Sequence, residues 1–103
     1  MLARDIMRLM DNIAPSKLID KKWDNSGLQM GSLEKKIKKI LVVLDISPIT
    51  VKYAVDNNVD MIISHHPFFF TPIKFISSDD IKGKMIVDLI LNDIVVYSAH
   101  TNL

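Results

Sequence analysis

The sequence contains no cysteine, only three glycines and a single tryptophan in 103 residues. Because cysteine is absent, the fold has neither disulfide bonds nor thiolate ligands, and a bound metal ion must be held by imidazole and oxygen donors. A chain without disulfides is typical of the reducing cytoplasm, so we predict a cytoplasmic location.

The sequence also lacks a long apolar run and an excess of charge of either sign. No apolar segment approaches the roughly 20 residues that span a bilayer, and Arg4, Asp5 and Arg8 interrupt the apolar pattern of a signal peptide. Thirteen basic residues against twelve acidic ones leave a net charge of +1, which gives no general attraction to nucleic acid or membranes. We therefore expect neither as a partner, and the basic run at 35–39 is either a solvated connection or a phosphate-binding patch.

The residues that are present indicate one folded domain. Apolar residues make up 49% of the chain and charged residues 24%, a balance found in globular rather than disordered proteins. A chain of this length can build a single hydrophobic core. We therefore predict one domain over residues 1–103.

Hydrophobic periodicity predicts helices that alternate with strands. Ser47 is the expected N-cap of one helix, and Ser78 or Asp79 is expected to cap the next. The uninterrupted apolar run at 40–44 is typical of a strand covered on both faces. The predicted elements are a helix over 2–13, strands over 28–30 and 40–44, a helix from 48 to about 57, a strand over 61–64, a helix from about 79 to 91, and a strand over 94–98.

The order strand, helix, strand, helix, strand predicts an α/β fold in which a mainly parallel sheet is sandwiched by helices. In such sheets the ligand site lies outside the carboxyl ends of the strands. This rule selects five candidate site residues, which are Asp45, Ser64, His65, His66 and His100.

The adjacent pair His65 and His66 is the strongest indication of function. In a regular strand their rings would point to opposite faces, but Pro67 ends the strand and lets both rings turn toward a shared site. This arrangement suits two metal ions roughly 3.5 to 4 Å apart. The alternative is that each histidine caps a strand by bonding to nearby carbonyls, and spacing alone leaves both interpretations open.

Other candidate residues carry weaker signals. Asp45 is placed either to orient a histidine ring or to accept hydrogen bonds from the following helix start, and Asp24 either supports a site or forms an Asx-turn. The three phenylalanines at 68–70 are a core lid, a subunit contact or a stacking surface. A Ser-His-Asp hydrolase using Ser64 or Ser98 is disfavoured because the sequence has no G-x-S-x-G motif.

Four motifs, in this order, resemble those of a known family. The segments WDNSGLQMG (23–31), KILVVLDIS (39–47), MIISHHPFFF (61–70) and VVYSAHTNL (95–103) resemble the amino-terminal half of the Nif-three-like family, also called GTP cyclohydrolase I type 2 homologues. The resemblance covers almost the whole chain. It implies a three-layer α/β fold with helices on both faces of the sheet, a dinuclear metal centre, toroidal hexamers and metal-dependent hydrolase-like activity on an unidentified small molecule.

The resemblance also assigns roles to individual residues. His65 and His66 match two metal ligands of the family, and His100 matches a histidine that lines the same cavity. The implied cofactors are two divalent ions, which we expect to be Zn, Mn or Fe. The family's next ligand is an aspartate directly after HTNL, whereas this sequence ends at Leu103, and the later histidine and glutamate ligands are missing as well.

We therefore expect a metal-binding α/β domain whose site is incomplete, as in a fragment of a longer protein. Isolated residues 1–103 should then bind metal weakly and lack activity. One alternative is a non-catalytic scaffold or oligomerisation module, in which the loop at 68–70 and the helix at 2–13 make subunit contacts. Another is an inactive truncated fragment that keeps part of a site.

Overall fold

A computed structural model describes residues 1–13 and 26–99, which form a four-stranded sheet packed against helices. The predicted alternation of helices and strands is confirmed, with element ends that differ from the prediction by no more than two residues. In chain order the elements are helix α1 (Ala3–Ile13), strand β1 (Gly27–Met30), strand β2 (Ile40–Val43), helix α2 (Pro48–Asp56), strand β3 (Met61–Ser64), helix α3 (Ile81–Leu91) and strand β4 (Val95–Ser98).

The sheet has the strand order β1-β4-β3-β2. Strands β2, β3 and β4 run parallel, and their last residues Val43, Ser64 and Ser98 are aligned with one another. Strand β1 pairs with β4 in the antiparallel direction. The predicted mainly parallel sheet is confirmed, and the carboxyl ends of its three parallel strands meet at one edge.

Two apolar cores lie on opposite faces of the sheet. Ile62 of β3 and Val96 of β4 belong to the core under α2 and α3. Their neighbours Met61 and Val95 point to the other face and pack with α1, because side chains alternate along a strand. This arrangement of helix, sheet and helix confirms the three-layer α/β fold.

The prediction that the run at 40–44 is covered on both faces is wrong. Strand β2 is at the edge of the sheet, and the side chain of Val42 is 73% exposed. Leu41 and Val43 pack on the core under α2 and α3, while the opposite face of the strand is open. An uninterrupted apolar run therefore does not distinguish a central strand from an edge strand whose second face is uncovered.

The helix caps agree with the sequence in one case and differ in the other. Ser47 is the N-cap of α2, as predicted. For α3 the prediction is wrong, because the N-cap is Asp80 rather than Ser78 or Asp79. Residues 77–80 form a turn with hydrogen bonds of its own, so the helix starts later than its capping motif suggests.

Part of the sequence prediction falls on residues that the structure does not describe. Asp24 and His100 both lie there, so the roles predicted for them stay predictions, as does the single-domain organisation over 1–103. Within residues 1–13 and 26–99, no helix has the length and apolar character needed to cross a membrane.

Gly83, in the first turn of α3, packs closely against the turn that precedes this helix, and a substitution can test this contact. Its N–H donates to the carboxylate of Asp80 at 2.6 Å, and an added Cβ would collide with the main chain of Ser77. We expect Gly83→Ala to lower the free energy of unfolding by about 1–3 kcal/mol, the usual cost of overpacking. Urea denaturation measures this free energy. The exposed neighbour Lys84→Ala should change it by less than ~0.5 kcal/mol, and equal effects of the two variants would contradict the close contact.

Candidate metal centre

The main chain of the two adjacent histidines is fixed by the sheet on both sides. The N–H of His65 donates to the carbonyl of Val43 at 3.1 Å, and the N–H of His66 donates to the next carbonyl at 2.9 Å. On the other side of β3, the N–H of Ala99 donates to the carbonyl of Ser64 at 3.0 Å. Pairing therefore continues past the last strand residue, and the histidines start from a rigid part of the fold.

The imidazole rings of His65 and His66 lie next to each other. Their centroids are 5.2 Å apart and their planes are tilted by 44°. His65 is half-buried and His66 is exposed. The two rings are therefore neighbours, which the argument from Pro67 requires, and the ring of His66 reaches solvent.

Each ring is held through its Nδ1 atom. Nδ1 of His66 lies 2.6 Å from a carboxylate oxygen of Asp45, and Nδ1 of His65 lies 3.1 Å from the carbonyl oxygen of Ala99. A carbonyl and a carboxylate can only accept hydrogen bonds, so each Nδ1 carries a proton and donates it. In the neutral ring the lone pair then lies on Nε2, which is the atom that would bind a metal ion.

Asp45 has one of the two roles that the sequence left open. Its carboxylate bonds to the ring of His66, whereas its main-chain carbonyl, at 3.3 Å, accepts a hydrogen bond from the hydroxyl of Thr50 in α2. An anionic partner on Nδ1 fixes the orientation of the ring. The carboxylate thus orients the histidine.

A buried pair of serine hydroxyls lies beneath the histidines. Ser64 and Ser98 are 1% and 0% exposed, and their hydroxyl oxygens are 2.8 Å apart. The Ser64 hydroxyl donates to the carbonyl of His66 at 2.8 Å, so the proton shared by the two serines must come from Ser98. The two hydroxyls therefore bond to each other and to the main chain of His66 at the carboxyl end of the sheet.

Lys82 of α3 contacts the aromatic residues that follow the histidines. Its ammonium nitrogen lies 3.7 Å from the ring centroid of Phe68 and 5.4 Å from that of Phe69, and it also donates to the carbonyl of Phe68. Phe68 is buried and Phe70 is exposed, so the three aromatic residues do not act as one surface. Burial lowers the pKa of Lys82.

Four of the sequence candidates come together at this edge, namely Asp45, Ser64, His65 and His66. The structure does not describe His100 or Asp24. Within residues 1–13 and 26–99, no group of three or more histidine, cysteine, aspartate or glutamate side chains is arranged to hold a metal ion. The described residues therefore supply a pair of imidazole donors rather than a complete set of ligands.

A large groove lies elsewhere on the molecule. It measures about 520 Å³ and runs between α2 and α3, with Val51 and Met85 among its apolar lining residues. Neither His65 nor His66 borders it. The histidine pair is thus a surface site at the sheet edge, separate from this groove.

Sequence reasoning missed the bonds that support the pair. Ser64 is predicted at the carboxyl edge of the sheet, and both serines are otherwise considered only as nucleophiles. Their mutual hydrogen bond is not predicted, although Ser64 and Ser98 each end a parallel strand at an aligned position. The sequence shows only that both predicted strands end at a serine, and the alignment that brings the two side chains to the same side of the sheet comes from the structure. The contact of Lys82 with Phe68 has no signal in the sequence, because it depends on where α3 packs.

A three-layer α/β domain with paired histidines at the carboxyl edge of a mainly parallel sheet describes the class of this protein. The model of the Duf34/NIF3 (NGG1p interacting factor 3) family matches residues 1–103. The chain therefore belongs to the Duf34/NIF3 family, and the resemblance seen in its four motifs is confirmed.

Named relatives agree with this family. The chain is 45% identical over 95 residues to a GTP cyclohydrolase 1 type 2 homolog of Listeria innocua, covering 92% of this chain and 25% of the relative. It is 41% identical over 102 residues to the homolog of Clostridium perfringens, covering 99% and 38%. The chain thus spans between a quarter and two fifths of the length of these relatives.

Solved structures of similar proteins share the fold. A Bacillus cereus protein related to NIF3 matches with a TM-score of 0.93 and 37% identity, over 99% of this chain and 28% of that protein. Reduced HcgD from Methanocaldococcus jannaschii matches with a TM-score of 0.92 and 39% identity, over 100% and 41%. The three-layer arrangement is therefore shared with these family members.

The direction of the serine hydrogen bonds predicts unequal effects of two similar substitutions. Ser64→Ala removes both the donor to His66 and the acceptor for Ser98, which leaves a buried hydroxyl without a partner. Ser98→Ala removes only a donor. We expect Ser64→Ala to lower the free energy of unfolding by about 1–3 kcal/mol, the cost of an unsatisfied buried group, and Ser98→Ala to have a smaller effect.

Chemical denaturation of the two single variants and the double variant measures these costs. In the double variant no serine remains without a partner, so its loss should be smaller than the sum of the single losses. A larger loss for Ser98→Ala than for Ser64→Ala would contradict the assigned direction.

Proposed function

We propose that this chain is the metal-binding domain of a dinuclear metal-dependent, hydrolase-like protein, and that His65 and His66 are metal ligands. The observation that supports the proposal is the contact of each ring's Nδ1 with an oxygen atom that can only accept a hydrogen bond. Each holds its proton on Nδ1 because its partner there is the carbonyl of Ala99 or the carboxylate of Asp45. Both rings are thus prepared to coordinate through Nε2.

The chemistry of these donors suits several divalent ions. Imidazole nitrogen is a common ligand of zinc, iron and other first-row metals, and selection among them depends on geometry and supply. We propose Zn, Mn or Fe, two ions in a complete site, with one imidazole from each of His65 and His66. The remaining ligands must come from residues other than those that the structure describes, and His100 and Asp24 are our candidates to line the same cavity.

The residues of the chain have separable tasks at this site. Asp45 keeps the proton of His66 on Nδ1 and orients the ring, and the carbonyl of Ala99 does the same for His65. Ser64 holds the carbonyl of His66, so the backbone that carries the ligands does not move. When bound, divalent ions supply Lewis acidity toward water and a substrate carbonyl, which is the chemistry that hydrolysis of a ring or an ester needs.

The names of the relatives agree with this proposal but do not identify a substrate. Several are called GTP cyclohydrolase 1 type 2 homologs, and a Drosophila melanogaster relative at 37% identity is called NIF3-like protein 1. The chain covers a minor part of each. We therefore propose hydrolysis as the reaction class of the longer relatives, with a small-molecule substrate.

Assembly of several copies is a second proposal, supported by exposed apolar side chains. Phe70 is 65% exposed in the loop after the histidines, and Leu9 and Ile13 of α1 are 48% and 70% exposed. Apolar side chains of this size are often covered in oligomers. We propose that such positions make subunit contacts in a homo-oligomer, a hexamer in the longer relatives.

Metal titration tests the assignment of the histidines. We expect isothermal titration of the chain with Zn²⁺ or Mn²⁺ to show binding that His65→Ala and His66→Ala each weaken by at least tenfold, since each substitution removes one of the two imidazole donors of the proposed dinuclear site. Equal and negligible binding by the unaltered chain and the double variant would contradict the proposal. Circular dichroism establishes that the variants keep the fold.

Substitution of Asp45 tests the role of the carboxylate. Asp45→Ala removes the partner of Nδ1, and we expect it to weaken metal binding about 10–100-fold, the usual effect of losing an outer hydrogen bond to a ligating histidine. Asp45→Asn keeps an acceptor and should lose less. Asp56→Asn, which alters an exposed carboxylate paired with Lys52 on α2, is the matched control. A loss for that control as large as for Asp45→Asn would contradict a specific role.

A further inference from the structure

One peptide group just after the histidines is held at both ends by side chains. The carbonyl of Phe68 accepts a hydrogen bond from the ammonium group of Lys82 in α3. The N–H of the same peptide group, which belongs to Phe69, donates to Oε1 of Gln29 in β1 at 3.0 Å. In a trans peptide the C=O and the N–H point in opposite directions. Helix α3 and strand β1 therefore fix the plane of this group from two sides.

A β-bulge directs the side chain of Gln29. Leu28 and Met30 lie opposite consecutive residues of β4, so Gln29 between them is an extra residue in the pairing. A bulge of this kind bends the strand and redirects a side chain. The amide of Gln29 is fixed further because its Nε2 donates to the carbonyl of Gly27 at 3.3 Å. Its Oε1 is thus left to accept from Phe69.

The ammonium group of Lys82 is tied to a buried part of the molecule. It lies 3.7 Å from the ring centroid of Phe68, within the range of a cation–π interaction. Phe68 is 3% exposed and belongs to the core under α2 and α3. A hydrogen bond from a charged donor is also stronger than one between neutral groups. The carbonyl of Phe68 is therefore held firmly against α3.

Fixed points follow one another closely between the end of β3 and this peptide group. The hydroxyl of Ser64 donates to the carbonyl of His66 at 2.8 Å. Pro67 has a fixed φ and restricts the backbone of the residue before it, and Phe68 comes next. The main chain that carries the ring of His66 thus has one anchor in the sheet and another two residues after it.

The ring of His66 depends on the main chain for its position. It is exposed, so little packing surrounds it, and its Nδ1 is bonded to the carboxylate of Asp45. Ligand atoms must be held within about 0.5 Å of the productive geometry, which requires rigid support around them. Bonds that stop the chain from turning after His66 supply such support.

We propose that Gln29 and Lys82 are positioning residues for the histidine pair, a role that rests on the proposed metal function. They act through the main chain and are not donors to the ions. By holding one peptide group at both ends, they prevent rotation of the chain that follows Pro67. The ring of His66 then stays on Asp45 and keeps its Nε2 available.

Imidazole nitrogen resonances of the metal-free chain test the positioning, at a pH where the rings are neutral. Two-bond ¹H–¹⁵N correlation spectra show which nitrogen of a ring carries the proton. We expect the Nδ1–H form of His66 in the unaltered chain and a mixture of both forms in Lys82→Met and Gln29→Leu. Lys82→Arg keeps a cationic donor and Gln29→Glu keeps an acceptor, so both should retain the Nδ1–H form. A loss of stability alone does not change the tautomer of a chain that is still folded.

Titration with Zn²⁺ tests the consequence for binding. We expect Lys82→Met and Gln29→Leu each to weaken Zn²⁺ binding about tenfold, the lower end of the effect of partners outside the ligands. Lys84→Met, at an exposed lysine paired with Asp88, is the matched control and should leave binding unchanged.

Two kinds of failure can be told apart. Ring resonances in both variants identical to those of the unaltered chain, or an equal loss of binding in Lys84→Met, would overturn the positioning role. Negligible Zn²⁺ binding by the unaltered chain would overturn the proposed metal function instead, and the ring resonances would still decide whether Gln29 and Lys82 hold the ring. The two variants lie on different elements, so the test does not depend on the folding of either one.

Discussion

The candidate site depends on one constraint, which is the parallel and aligned pairing of β2, β3 and β4 up to and beyond their last residues. The alignment of Val43, Ser64 and Ser98 brings three chain exits to one edge. Main-chain bonds continue past that point on both sides of β3. His65 and His66 therefore leave the sheet from a fixed position, and the partners of their rings, Asp45 and Ala99, leave from the two neighbouring strands.

Much of this arrangement could be predicted from residue order. Apolar runs separated by helical patterns gave the parallel sheet, and the rule on carboxyl ends then selected Asp45, His65 and His66 together. The prediction failed where it needed the position of a strand within the sheet. The run at 40–44 has the apolar character of a central strand, yet β2 lies at the edge of the sheet. The apolar character of a strand does not say which strands lie beside it.

The hydrogen bond between the two serines and the contact of Lys82 could not be predicted from the sequence, for a different reason. Serine is found in many environments, and only the alignment of β3 with β4 brings Ser64 to within 2.8 Å of Ser98. From the sequence alone, Lys82 is expected to be an ordinary surface lysine. In the structure, the packing of α3 places its ammonium group over the ring of Phe68. Such contacts depend on distances between elements, and periodicity along one segment carries no information about them.

The use of Asp45 has a consequence for the charge of the site. Because a carboxylate oxygen of Asp45 lies 2.6 Å from Nδ1 of His66, the proposed metal site uses this carboxylate to orient the ring rather than as a metal donor. The donors that the described residues contribute are then two imidazoles, which are neutral when they bind metal. Two divalent cations carry four positive charges, and such charge close to a folded domain is offset by anionic ligands. In the proposed site the carboxylates that offset this charge would come from other residues. The histidine pair would then fix the positions of the ions, and the affinity would depend on the acidic groups that join the pair.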